Sequence, residues 1–151
     1  MFKLDWRQAD LEDASSVLSD LREADLEEVH AHGVTPDDVW ASLSADDELF
    51  VVEQEDGHPI FLFGVKEDGY VWGLGTDEIE LYATEFAARS RELTDVMQES
   101  VGRSLWTVAY LPNRRHQRWL KFIGFEKISH DLLAPPFVYM ERPMSCVSQQ
   151  Q

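Results

Sequence analysis

The sequence predicts an α/β (α+β) fold: one mixed, largely antiparallel central sheet with helices on both faces. The first observation is a meander. Apolar, β-prone runs at 49–53, 58–65 and 70–74 are separated by Glu55-Asp56-Gly57 and Glu67-Asp68-Gly69. Asp-Gly between two such runs marks a hairpin, because glycine accepts positive φ. The second is helical periodicity on both sides of the meander, which requires crossovers between some strands. The third is size: 151 residues, 44% hydrophobic, enough for one core without staples.

In chain order, residues 1–7 alternate Phe2, Leu4 and Trp6 with polar residues, as in a short strand. Asp10 caps a first helix with Asp13 three residues on, and Leu11, Ala14, Ser15, Leu18 and Leu21 keep helical spacing. A second helix covers 25–32 and stops at Gly33. Thr35-Pro36-Asp37-Asp38 opens a third, with Val39, Trp40 and Leu43 expected to face inward. After the meander a long helix is expected over 77–100, burying Ile79, Ala83, Phe86, Ala87, Leu93 and Met97. A strand at 105–110, a helix after Asn113 and strands at 126–130 and 137–142 complete the order. Residues 1–143 read as one domain and 144–151 as a flexible polar tail.

Net charge is −16, unevenly spread: residues 1–100 carry −20 and residues 101–151 carry +4. Such a surface repels free duplex DNA. The single cysteine, Cys146, permits no disulfide within the chain and fits a reducing compartment. Neither a signal peptide nor a membrane span is expected, since the longest apolar run is 60–65.

Two stretches carry a resemblance. Arg7-Gln8-Ala9-Asp10-Leu11-Glu12-Asp13 joins the first strand to the first helix, and Asn113 precedes an amphipathic helix ending in Gly124-Phe125. With the element order, these resemble the GCN5-related N-acetyltransferase (GNAT) fold. The resemblance implies a coenzyme A diphosphate held on backbone N–H groups of a Gly-rich loop after the fourth strand. It also implies a tyrosine acid seven residues after the Asn.

Here the junction reads Trp72-Gly73-Leu74-Gly75-Thr76-Asp77-Glu78-Ile79-Glu80. The glycines come early, the loop's basic residue is absent, and Asp77, Glu78 and Glu80 stand at the expected helix start, with Asp77 and Glu80 at capping-box spacing. Acids at that end oppose a phosphate. The acid position is Leu120, which donates no proton; Tyr110 and Tyr139 are the substitutes within the sequence.

No catalytic, cofactor-binding or metal-binding residue is therefore assigned. Glu28 and His32 share a helix face at i, i+4, but no second ligand cluster lies near them. On the Asn helix, His116, Trp119, Leu120 and Ile123 fall at core spacing, while Arg114, Arg115, Arg118 and Lys121 form a basic strip, the expected interaction surface.

The stretches 71–79, 86–92 and 118–126 are also similar to small internal virion proteins of short-tailed phages (podoviruses). That likeness implies a non-catalytic protein of the phage head interior, acting in assembly or genome ejection with other virion or core proteins and without a cofactor. It would be found in the virion or the host cytoplasm. Two alternatives stay open: an active acetyl-CoA-dependent N-acetyltransferase with an atypical loop, and an acidic host-directed binding protein.

Overall fold

In the computed structural model, residues 3–43, 47–129 and 133–144 are described. Strand β1 (Leu4–Gln8) leads into α1 (Leu11–Leu18), α2 (Glu23–Ala31) and α3 (Pro36–Ser42). The meander is β2 (Glu48–Gln54), β3 (Pro59–Val65) and β4 (Val71–Gly75). A 3₁₀ turn (Asp77–Tyr82) precedes α4 (Ala83–Val101). Then come β5 (Leu105–Tyr110), α5 (Arg114–Phe122), β6 (Glu126–Ile128) and β7 (Phe137–Arg142).

The caps form as the sequence predicts. Asp10 with Asp13, and Thr35 with Asp38, each close a capping box. Gly57 and Gly69 turn the two hairpins at φ +86° and +93°. Arg7 holds Asp13 through both of its carboxylate oxygens (2.7 and 2.9 Å) and Glu53 at 2.7 Å, which locks β1 to α1 and β2. The guanidinium keeps the Asp13 carboxyl below its ordinary range.

The sheet departs from expectation. It is split into a four-stranded antiparallel sheet, β1-β2-β3-β4, and a three-stranded antiparallel sheet, β5-β7-β6. Among the described residues they touch in the ladder sense only at one parallel bridge, Tyr70 to Trp106. The crossover through α4 makes β4 and β5 parallel, and beyond the bridge they diverge around polar side chains of α2 and α5.

Helices cover both faces. Val51, Leu62 and Leu74 pack against Ala14, Val17, Leu18 and Val29 of α1 and α2. The alternate residues Phe50, Val52, Phe61 and Phe63 share the second core with Phe86, Leu93, Met97, Leu120 and Ile123. Strand β3 is buried on both faces, which is why it reads as an unbroken apolar run.

Some inward residues were misplaced by periodicity. Trp40 is 43% exposed and donates from Nε1 to the Leu11 carbonyl (3.3 Å), while Leu11 itself is 53% exposed. α3 is a short outer helix with no fully buried residue, so its spacing says little about facing. In the long helix, Ala83 is exposed and Ala87 half-buried; Ser90, Thr94 and Gln98 complete the buried stripe instead. His130 lies outside the described residues, as does the tail beyond Met144.

Candidate functional site

The divergence of β4 and β5 creates the one place where chemistry converges. One side of it is built by the 3₁₀ turn, α4 and α5. The expected helix start at 77 does not form: the chain makes a 3₁₀ turn first, and α4 begins at Ala83. No capping box joins Asp77 to Glu80, and neither Thr76 nor Tyr82 caps with a side chain. Glu80 instead faces cations. It pairs with Arg115 and lies 3.9 Å from Arg22.

An open groove therefore runs between the turn and α5, lined by Arg22, Asp77, Glu80, Arg114, Arg115 and Arg118. Three residues of the expected basic strip, Arg114, Arg115 and Arg118, line it; all three are exposed, as is Lys121 farther along the helix. Arg115 is tied to Glu80.

The glycines of the junction are used by the protein itself. A Cβ at Gly73 would sit 2.6 Å from the Phe61 ring, and one at Gly75 would sit 2.1 Å from Ile79 Cδ1. They are small because core side chains press on them, and they leave no cradle for a ligand. Thr76 is pinned by two bonds to the Ile60 carbonyl, from its N–H (3.0 Å) and its hydroxyl (3.1 Å).

The outward backbone of Gly75 is also occupied. Its carbonyl accepts from the Arg22 N–H (2.9 Å), and its N–H donates to Asp25 Oδ2 (2.8 Å). The other Asp25 oxygen accepts from Asn113 Nδ2 (2.9 Å) and lies 3.0 Å from Arg22 Nε. One buried carboxylate thus ties the end of β4 to the start of α5.

A coenzyme diphosphate there would meet Asp77 and Glu80 beside Arg22, Arg114, Arg115 and Arg118, find the Gly75 amide taken, and compete with Glu80 for its arginines, while Glu78 lies 3.9 Å from His58. Two like charges ~4 Å apart repel by roughly 1 kcal/mol in water, and an arginine at the same distance attracts by as much.

The other side of the divergence is a cavity of about 260 Å³ between α2, α3, β4 and β5. Glu28, His32, Tyr70, Trp72, Thr107 and His116 are among its lining residues. Glu28 and His32, one turn apart on α2, do meet here, but no metal-binding group of three exists among the described residues. Glu28 is 7% exposed, and burial, with help from Asp25, pushes its carboxyl up to about 8. His116 is 5% exposed, and burial pushes its imidazole down to about 4. Burial also raises the Tyr70 phenol.

Neither substitute tyrosine reaches this centre. Tyr110 packs at a tilt on Phe137 and Tyr139 stacks on Trp106, both half-buried on the β5–β7 sheet. Leu120 is core, at 2% exposure. Sequence reasoning missed Asp25, whose partners lie 50 and 88 residues away, and named Glu28 only as a candidate ligand beside His32.

The two titrations oppose each other. Glu28, raised in the fold, stabilises below its unfolded value near 4.5, and that contribution is lost as pH rises through 8. His116, lowered in the fold, loses its contribution as pH falls from 6.5 toward 4. Above pH 6.5 the Glu28 slope remains. Glu28→Gln is therefore expected to gain on the native chain between pH 6.5 and 8.5, by on the order of 2 kcal/mol in urea melts.

No protein-family model matches the chain, and no curated protein matches it. Solved structures do. A GCN5-related N-acetyltransferase from Kribbella flavida superposes with a TM-score of 0.69 at 13% identity, over 94% of this chain and 98% of that one. The aminoglycoside acetyltransferase AAC(6')-Ib in complex with coenzyme A gives 0.69 at 16%, over 97% and 98%. A spermidine N-acetyltransferase SpeG chimera from Vibrio cholerae and hSSAT gives 0.66 at 13%, over 97% and 99%. At these identities the likeness establishes architecture, and this chain has the fold of the GCN5-related N-acetyltransferases.

Proposed function

We propose that this chain is a non-catalytic assembly protein on an acetyltransferase frame, acting through its surfaces. The observation that carries the reading is the closure of Gly75: both of its outward backbone groups are held by the start of α2, through Arg22 and Asp25. The self-filled glycines and the acidic turn support it. Exposed Arg114, Arg118 and Lys121 then offer a basic docking strip on an otherwise acidic body. The phage likeness supplies a setting, the interior of a virion, with other virion or core proteins as partners. That placement rests on the similar stretches alone and draws no support from the structural neighbours.

Calorimetric titration with acetyl-CoA tests the reading. No heat of binding is expected up to about 1 mM, which corresponds to roughly 4 kcal/mol of affinity. Micromolar binding would overturn it.

Amine acetylation is the second reading. It is favoured by the neighbours, among them aminoglycoside and spermidine acetyltransferases, one in complex with coenzyme A. It is favoured also by Glu28, whose carboxyl titrates where a general base works best. Release of free thiol from acetyl-CoA in the presence of an amine, lost in Glu28→Gln, would establish it.

A further inference from the structure

Two apolar features at the surface lie on opposite faces of the four-stranded sheet. On the α1–α2 face, Trp40 of α3 stands beside Leu11, the first residue of α1, and both are exposed. Acids adjoin them in the chain. Asp10 and Glu12 flank Leu11, and Asp37, one turn before Trp40, shares its side of α3. All three acids are exposed. Between residues 8 and 65 the single Lys or Arg is the buried Arg22, and nearby Arg7 is occupied by Asp13 and Glu53.

On the other face, α4 and α5 leave an open groove of about 370 Å³. Ile79, Phe86 and the half-buried Trp119 form its floor, and the exposed Arg115, Arg118 and Phe122 its rim. The carboxylate that lines it, Glu80, is tied to Arg115. Arg118 and Phe122 are one turn apart on α5, with the exposed Lys121 next to Phe122. Phe122 is 49% exposed, and the Arg91 guanidinium lies 5.7 Å from its ring centroid. An apolar groove with a cationic rim complements an indole with an acidic rim, in polarity and in charge. The indole face also favours a guanidinium.

We infer that this chain assembles head to tail with copies of itself, Trp40 of one copy seated between α4 and α5 of the next. The inference rests on the assembly reading and deepens it by naming the partner of the basic strip. Both halves of the complement belong to one sequence, so a second copy supplies the match. Because the halves sit on opposite faces, a copy cannot use both against one neighbour. The contact is heterologous: it leaves one Trp40 and one groove open at the ends, and growth continues as a chain or closes into a ring. Tryptophan and arginine are the side chains most enriched at the energetic centres of interfaces. A net charge of −16 on each copy opposes approach. At about 0.15 M salt the Debye length of about 8 Å screens that repulsion between bodies and spares groups in contact.

Sedimentation velocity on the full chain tests the inference, from about 10 μM to about 1 mM protein, in about 0.15 M and about 1 M salt. Mass should rise with concentration past two copies, with affinity falling at least threefold at the higher salt. Trp40→Ala and Arg118→Glu each remove one half of the contact, and each should weaken association at least tenfold. Both positions are exposed, so melting temperatures close to the native one are expected and check the fold. Mixed, the two variants should recover one contact: the Arg118→Glu chain supplies the tryptophan, the Trp40→Ala chain supplies the groove, and growth stops at two. A chain that stays monomeric at the highest concentration, a native mass that stops at two, variants that associate undiminished, or a mixture no heavier than its parts would each overturn the inference. An acetyl-CoA titration run alongside separates the readings. Coenzyme binding with self-association intact sinks the non-catalytic proposal alone, and a monomer that ignores acetyl-CoA sinks this contact alone.

Discussion

Asp25→Ala is expected to lower stability by about 3–5 kcal/mol, the cost of removing one partner from a buried charge pair. The carboxylate is 1% exposed and serves the Gly75 N–H, Asn113 Nδ2 and the Arg22 guanidinium, whose side chain is only 10% exposed. Its loss leaves a buried cation and two unpaired N–H groups. For a chain of this size the melting temperature should fall by roughly 6–15 °C. Asp25→Asn keeps an acceptor for Gly75 and should fall less. The same variant probes function, because it frees the β4 edge. If Asp25 is what bars the coenzyme, Asp25→Ala should bind acetyl-CoA more tightly than the native chain does. An affinity unchanged by the substitution would place the bar at the acidic turn instead.

Phe61→Ala should be comparably damaging, at about 3–5 kcal/mol, or roughly 6–15 °C. Phe61 is fully buried, with its ring centroid 4.7–5.2 Å from those of Phe63, Phe86 and Trp119. It also presses on Gly73 and Gly75, so the void would open directly beneath β4. An unchanged denaturant slope with a shifted midpoint would identify lost packing as the cause. Phe61→Leu should cost less than half as much.

The elements were legible because their signals are local. Thr35-Pro36-Asp37-Asp38 contains its own cap, and Asp-Gly contains its own turn. β5 was readable to the residue because its alternation stops at both ends, and β7 because its β-prone run is bounded by Pro136 and Pro143. The start of α4 was not, since a 3₁₀ turn uses the same residues as a first helical turn, and the choice depends on Ile79 packing over Gly75. The cleft was legible only in its absences. A missing loop arginine and a leucine at position 120 can be read directly, whereas the meeting of Asp25 with Gly75 spans 50 residues and that with Asn113 spans 88. No local pattern encodes such a meeting. His116 was placed in the core by spacing, but its role beside Glu28 emerged only from the packing of α5 near α2.

The single Tyr70–Trp106 bridge makes the molecule resemble a clothes-peg, with a pivot at one end and jaws at Gly75 and Asn113. Parting the jaws breaks bonds to the Asp25 carboxylate and no strand ladder, at about 1.5–3 kcal/mol per charge-assisted bond. The Gly75 amide should therefore exchange with heavy water well ahead of the β3 amides around Leu62, whose release needs the ladder itself to come apart.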